Sequence, residues 1–283
     1  MSLLHFTHPA PMGQWIQALK HAGKRIGFVP TMGALHEGHI SLVHNALEHC
    51  DVLIVSIFVN PTQFNDPKDL LKYPKTLPSD VEMLLKCPCN AVFVPTISDI
   101  YPEGQFKDEW ELGPSKDVLE GEFRPGHFDG VLTVVSRLFE LVKPDYAFFG
   151  EKDFQQQYLI KKMAEKEGNQ VKVLSFPTIR ESNGLAMSSR NRRLQSDDVI
   201  VAAGIYKILL QMKVQRKNLG PQELEEWGNK NLNRPGIIDI EYLKVVKTSD
   251  LSSVEIWEEN EGHIALLAAW VGGVRLLDNI FLD

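Results

Sequence analysis

The sequence predicts an α/β fold, a doubly wound parallel (Rossmann-like) sheet followed by a second, smaller α+β domain. Three observations predict it. Short apolar runs at residues 25–29, 51–59, 91–94, 146–149 and 170–176 alternate with segments of helical spacing, the pattern of βαβ units. The run at 51–59 is almost continuously apolar, as a strand covered on both faces of a parallel sheet must be. Beyond residue 177 the alternation gives way to two helical segments and then three strand-like ones, so the domain boundary is set there, giving domains 1–177 and 178–283.

In chain order, residues 11–22 form a helix with Trp15, Ile16 and Leu19 on one face. The strand at 25–29 runs into residues 30–39, a tight turn that opens a helix continuing from Ile40 to about Cys50. The buried strand at 51–59 ends at residues 60–64. A helix at 79–85, with Ser79 as its cap, precedes the strand at 91–94. Residues 100–124 are rich in glycine, proline and charge and carry no periodicity that assigns them. Val131, Val134, Val135, Leu138, Leu141 and Val142 then fit helical spacing until Lys143 and Pro144 stop the helix. The strand at 146–149 leads through Gly150 into a helix reaching Glu167, and 170–176 is the last strand of this half. In the second domain, helices are expected at 197–213 and 221–232, and strands at 237–246, 263–270 and 274–281.

Composition narrows the function classes. Thirty Lys and Arg against 37 Asp and Glu give a net charge of −7, and no dense basic run appears. Wholesale binding to nucleic acid or to an anionic membrane is therefore not expected. An anionic ligand must instead be held by a local cluster. The three cysteines, Cys50, Cys87 and Cys89, make neither a disulfide framework nor a zinc site and suggest a reducing cytosol. The first twenty residues lack a signal-like apolar core, and no apolar run is long enough to span a bilayer. A cytoplasmic location is expected.

Chemistry concentrates in loops that follow strands. In residues 30–39, Pro30 and Gly33 break regular structure and Gly38 allows close backbone approach. A helix N-terminus offers unpaired N–H groups and about half a positive charge, so His36 and His39 flank an anion site suited to a nucleotide phosphate. The same pair, three apart on one helix face, could equally ligate a metal or be two surface histidines. The strand at 146–149 repeats the arrangement: Lys152 brings a mobile ammonium, and Asp153 and Gln156 offer hydrogen-bond partners, though a plain solvated helix start reads the same way. Residues 60–64 would face the crevice beyond the strand ends, where open α/β sheets bind ligands. Residues 179–191 are polar, contain glycine and set two hydroxyls beside a guanidinium; such a loop can close over a triphosphate.

Taken together, residues 30–39, 60–64, 124–128, 149–156 and 184–191 resemble the pantothenate synthetase (pantoate–β-alanine ligase) family. That family is related to the class I aminoacyl-tRNA synthetases and nucleotidylyltransferases that share the His-x-Gly-His signature. The motifs lie in the family's order over the first two-thirds of the chain. The resemblance implies ATP-dependent condensation of pantoate with β-alanine by way of pantoyl adenylate. It implies that ATP is surrounded by Met32, Gly33, Ala34, Leu35, His36, Glu37, Gly38 and His39, by Gly150, Glu151, Lys152 and Asp153, and by Ile179, Met187, Ser188, Ser189 and Arg190. The catalytic donors would be His36, His39, Lys152, Ser188 and Arg190, with His39 in the acid role. Gln63 and Gln156 would hold pantoate, Gln63 also bordering the β-alanine site, with Asn60, Thr31, Tyr73, Glu120 and Arg124 in support. A Mg²⁺ ion bridging phosphate oxygens is expected, with Asp80 as its candidate carboxylate; the alternative is an ordinary acid in a helix's first turn. The family likeness also implies a homodimer through the first domain. Two other functions compete: a truncated aminoacyl-tRNA synthetase core, and a non-catalytic nucleotide- or metal-binding module.

Overall fold

The computed structural model describes residues 3–104, 108–168 and 170–283. The chain divides into two compact units, one made of Met1–Glu151 and Gln155–Pro177, the other of Lys152–Phe154 and Thr178–Asp283.

The first unit is built on a six-stranded parallel sheet. Its strands are β1 (Leu4–Phe6), β2 (Ile26–Thr31), β3 (Val52–Ile57), β4 (Ala91–Phe93), β5 (Tyr146–Gly150) and β6 (Lys172–Phe176), in the spatial order β1-β4-β3-β2-β5-β6. β3 is buried at every position, which its continuous apolar sequence requires. From β2 the chain winds outward first to β3 and β4, then returns to lay β5 against β2's other edge. The order therefore reverses between β2 and β5. At such a switch point the two loops leaving the carboxyl ends of the strands diverge to opposite faces and open a crevice.

Helices cover the sheet: α1 (Pro9–His21), α2 (Glu37–Ala46), α3 (Pro67–Lys72), α4 (Leu77–Leu85), α5 (Ile97–Ile100), α6 (Glu120–Phe123), α7 (His127–Val142) and α8 (Phe154–Lys166), the last beginning in the second unit. One core packs Val29, Leu53, Val55 and Phe148 of the sheet against Leu42, Val43 and Ala46 of α2 and Leu84 of α4. α7 is the most deeply buried helix, which explains its long apolar stripe.

The structure departs from the sequence reading at several points, among them the unexpected short helices α3 and α5. β1 is an added strand: three residues with a polar centre, His5, give no periodic signal, and the strand exists only because its backbone pairs with β4. α4 starts at Leu77 with Thr76 in the cap position, so Ser79 is not the cap; its hydroxyl donates back to the Thr76 carbonyl at 2.9 Å. Pro78 permits the earlier start, because a proline is tolerated in the first turn, where its absent N–H would find no partner. In the unassigned stretch 100–124 the structure forms two short helices, Pro114–Lys116 and α6, while residues 105–107 lie outside the described residues.

The second unit carries α9 (Ser196–Gln215), α10 (Pro221–Leu232) and an antiparallel sheet, β7 (Asp239–Lys247), β8 (His263–Val271) and β9 (Val274–Phe281). β8 is central and buried at every residue but Trp270. Leu209 and Met212 of α9 and Leu224 of α10 close the core over Leu243, Leu267 and Leu276. Among the described residues, no helix is long and apolar enough to cross a membrane.

Candidate active site

The loop after β2 is held from beneath. Gly33 and Ala34 both have positive φ, +75° and +50°. Glycine adopts this freely, whereas for alanine it costs about 1–2 kcal/mol. Asp80 of α4 offsets that cost. Its carboxylate, 1% exposed, accepts from the Ala34 N–H at 3.0 Å and the Leu35 N–H at 2.8 Å, and the Thr76 hydroxyl donates to the same group. The Thr31 hydroxyl completes the turn, donating to the Ser56 carbonyl at 2.7 Å and accepting from the Gly33 N–H at 3.1 Å. Both oxygens of Asp80, the magnesium candidate, are thus engaged by the loop and by Thr76.

The turn delivers the chain into α2, which begins at Glu37, three residues before its apolar spacing begins. His36 is its N-cap and His39 lies in its first turn. The Nδ1 of His36 accepts from the Gly38 N–H at 3.2 Å, and the Nδ1 of His39 accepts from the His36 N–H at 3.3 Å. Their rings lie 4.1 Å apart, tilted by 43°. Because both Nδ1 atoms accept, each neutral ring carries its proton on Nε2. The pair therefore presents two N–H donors at the positive end of a helix, which suits an anion. Among the described residues, no group of three or more His, Cys, Asp and Glu is placed to hold a metal, so the metal reading of His36 and His39 gains no third ligand.

A second constellation in this unit surrounds Gln63, in the short helix Pro61–Gln63 that follows β3. Asn60, 1% exposed, is its hub: Nδ2 donates to Gln63 Oε1 at 3.1 Å and to the Gly130 carbonyl at 3.0 Å, while Oδ1 accepts from the Tyr101 hydroxyl at 2.9 Å and from Thr62. Burial pushes the Tyr101 phenol up from its ordinary range, so it stays a donor at neutral pH. The Gln63 Nε2 donates to Met32 Sδ at 2.9 Å, tying this segment to the loop after β2. Gly130 on α7 permits the approach, since a Cβ there would lie 2.5 Å from the Thr62 carbonyl oxygen.

Below Gln63 sit Arg124 and His127. The His127 Nδ1 lies 2.7 Å from the Gln63 carbonyl and its Nε2 lies 3.1 Å from Arg124 Nη1, and Arg124 reaches Glu120 at 3.5 Å. Asn60, Gln63, Glu120 and Arg124, all expected from the sequence, are thus brought together. Tyr73 packs edge-on to Phe64, with ring centroids 5.7 Å apart. Sequence reasoning singles out neither Tyr101 nor His127, although His127 lies inside the 124–128 motif. It passes over Gln155 as well, whose amide donates to the Ser115 and Val118 carbonyls and accepts from the Glu120 N–H, bracing the segment that carries Glu120. Gln156, its neighbour on α8, is half-buried. Glu151, following β5, is half-buried and its carboxyl is pushed up by burial, against the pull of Lys161.

In the second unit, Lys152 Nζ pairs with Asp153 at 3.4 Å, and the Lys152 carbonyl accepts from Asn279 at 2.9 Å. Lys152, Ser188, Asn191 and Asp278 line a small pocket floored by Leu185, Ile205 and Leu276. The Ser188 hydroxyl accepts from the Arg190 N–H at 3.3 Å and caps the short helix Ser189–Arg193. The Met187 N–H donates to the Ile179 carbonyl at 2.9 Å. The loop is pinned by Arg180, whose guanidinium makes a two-pronged pair with Asp278 at 2.8 Å on both arms and stacks 3.5 Å from the Tyr206 ring. So many anchors fix the loop within its unit. Arg180 and Asp278 lie 98 residues apart, and nothing local in the sequence joins them.

Comparison with known proteins decides the family. A family model described as pantoate-beta-alanine ligase matches residues 5–281. The chain belongs to that family. A pantothenate synthetase of Porphyromonas gingivalis is 42% identical over 275 residues, covering 97% of this chain and 98% of its own. The crystal structure of a pantothenate synthetase from Thermus thermophilus superposes with a TM-score of 0.91 at 35% identity, covering 99% of each chain. A pantoate-beta-alanine ligase from Francisella tularensis, solved with beta-gamma ATP and beta-alanine, gives a TM-score of 0.82 at 38% identity over 99% of this chain and 98% of its own. Family membership across both units displaces the truncated tRNA synthetase core and the non-catalytic module.

Proposed function

We propose that this chain joins pantoate to β-alanine through a pantoyl adenylate. It is a ligase of pantothenate biosynthesis with ATP as a substrate, and the observation that carries this reading is the family match over residues 5–281. In the first step a pantoate carboxylate oxygen attacks the α-phosphorus of ATP, the bond to the bridging oxygen breaks, and pyrophosphate leaves. In the second, the β-alanine amine attacks the acyl carbon, the C–O bond to AMP breaks, and the nitrogen loses a proton. No enzyme nucleophile is needed, so the protein's task is positioning and charge stabilisation.

In this reading His36 and His39 donate from Nε2 to the phosphates, His39 carrying the larger share. Met32, Gly33, Ala34, Leu35, Glu37 and Gly38 supply the loop backbone, and Gly150, Glu151, Lys152, Asp153, Ile179, Met187, Ser188, Ser189 and Arg190 the remaining contacts to ATP. Gln63 and Gln156 hold pantoate, supported by Asn60, Thr31, Tyr73, Glu120 and Arg124. Magnesium is proposed to arrive on the triphosphate, held mainly by phosphate oxygens as that ion often is, since the described residues offer no ready cluster for it. The proposed assembly is a homodimer and the proposed location cytoplasmic.

The adenylate route is tested with pantoate labelled by ¹⁸O in its carboxylate. One labelled oxygen should appear in AMP. Release of ADP with ¹⁸O-labelled phosphate, the products of an acyl phosphate, or of AMP without label would overturn the route.

A further inference from the structure

We infer that His127 is a positioning residue for pantoate, and that it works only as the neutral imidazole with its proton on Nδ1. The inference rests on the reading of Gln63 as a pantoate contact.

The partners fix the proton. His127 is 6% exposed. Its Nδ1 lies 2.7 Å from the Gln63 carbonyl oxygen, which can only accept, and its Nε2 lies 3.1 Å from Arg124 Nη1, which can only donate. A ring held between an acceptor and a donor must donate at Nδ1 and accept at Nε2. This is the opposite tautomer to that of His36 and His39. The charged groups facing the ring are Arg124 and, behind it, Glu120 at 3.5 Å from the guanidinium. Asp129, on His127's own helix, is turned to Lys116 at 2.9 Å.

The consequence reaches Gln63. Its carbonyl takes the His127 N–H and, at 3.4 Å, Arg124 Nη2. Its side chain is fixed by Asn60 and Met32. With backbone and side chain both tied, the amide is preorganised for a small polar acid. A second proton on His127 would set an N–H and a positive charge against the guanidinium, break the Arg124 contact and loosen the carbonyl's grip. Burial and the facing guanidinium both disfavour that second proton, which keeps the ring in the form that holds Gln63.

The test is steady-state kinetics of wild type, His127→Asn and His127→Ala at about pH 8, where an imidazole is neutral, with pantoate varied at saturating MgATP and β-alanine. Asparagine is the informative replacement, because its amide reaches the place of Nδ1–H but does not titrate. His127→Ala should raise KM for pantoate about tenfold, the effect of one lost buried hydrogen bond, with KM for ATP nearly unchanged. His127→Asn should recover most of that loss. An unchanged KM for pantoate in the alanine variant, a uniform fall in all parameters, or an asparagine variant no better than the alanine one would overturn the inference. A long-range ¹⁵N–¹H spectrum of wild type reads the His127 tautomer without any turnover. A neutral ring protonated on Nε2 would overturn it even if the variants failed to fold, whereas an Nδ1–H ring in a protein that makes no pantothenate would count against the proposed reaction instead.

Discussion

Replacing Asp80 with alanine is the sharpest perturbation of the loop after β2. The aspartate accepts from the backbone N–H groups of Ala34 and Leu35 at 3.0 and 2.8 Å, in a site 1% exposed. Hydrogen bonds to a charged group are worth about 1.5–3 kcal/mol each, so losing two removes roughly 3–6 kcal/mol. Ala34, held at φ +50°, would relax and return about 1–2 kcal/mol. The net expectation is a loss of roughly 1–5 kcal/mol. Urea denaturation followed by circular dichroism measures it. Turnover should fall as well, because the same loop sets the entry to α2 and hence the placement of His36 and His39. An unfolding free energy within about 0.5 kcal/mol of wild type, the size of an ordinary surface change, together with unaltered turnover, would refute the reasoning.

Other perturbations separate the remaining parts. His39→Ala should lower turnover about 10²–10³-fold, the loss from one well-placed donor; near-normal turnover removes His39 from the mechanism. Arg180→Ala breaks a buried two-pronged pair with Asp278 and leaves that carboxylate unpaired, so it should destabilise the protein by about 3–5 kcal/mol, read as a lowered melting temperature. A melt within a degree of wild type would contradict that role. Burial pushes the thiols of Cys50 up to about 11 and of Cys89 up to about 12. A disulfide reagent at pH 8 should therefore label the less buried Cys87 first, and the other two only after unfolding; rapid labelling of all three in the native protein would oppose this.

The parallel sheet is legible because its inner strands β2, β3, β4 and β5 are largely buried and so read as apolar runs. β3 is the clearest case, and the edge strand β1, which faces solvent over much of its surface, is invisible for the same reason. Motif loops are legible by residue type, but their internal bonding is not. His36 and His39 read as an anion site or a metal pair; only in the fold are both Nδ1 atoms seen to be taken up by backbone N–H groups at the start of the helix. Asp80 reads as a metal candidate because a carboxylate in a first turn looks the same whether it binds an ion or a neighbouring loop. Its partners lie 45 and 46 residues away. Residues 115–120 defeat pattern reading because their shape is imposed from outside, by Gln155 donating to the carbonyls of Ser115 and Val118 and accepting from the Glu120 N–H. Arg180 with Asp278 belongs to the same class of long-range pairing.

The central claim is that this chain couples ATP cleavage to the joining of pantoate and β-alanine. The most direct measurement incubates the protein with all three and then with each omitted in turn, following AMP, pyrophosphate and pantothenate. Pantothenate and AMP are expected in equal amounts only in the complete mixture, with pyrophosphate formation in the absence of β-alanine limited to about one equivalent of enzyme. Absence of pantothenate under every condition would contradict the claim.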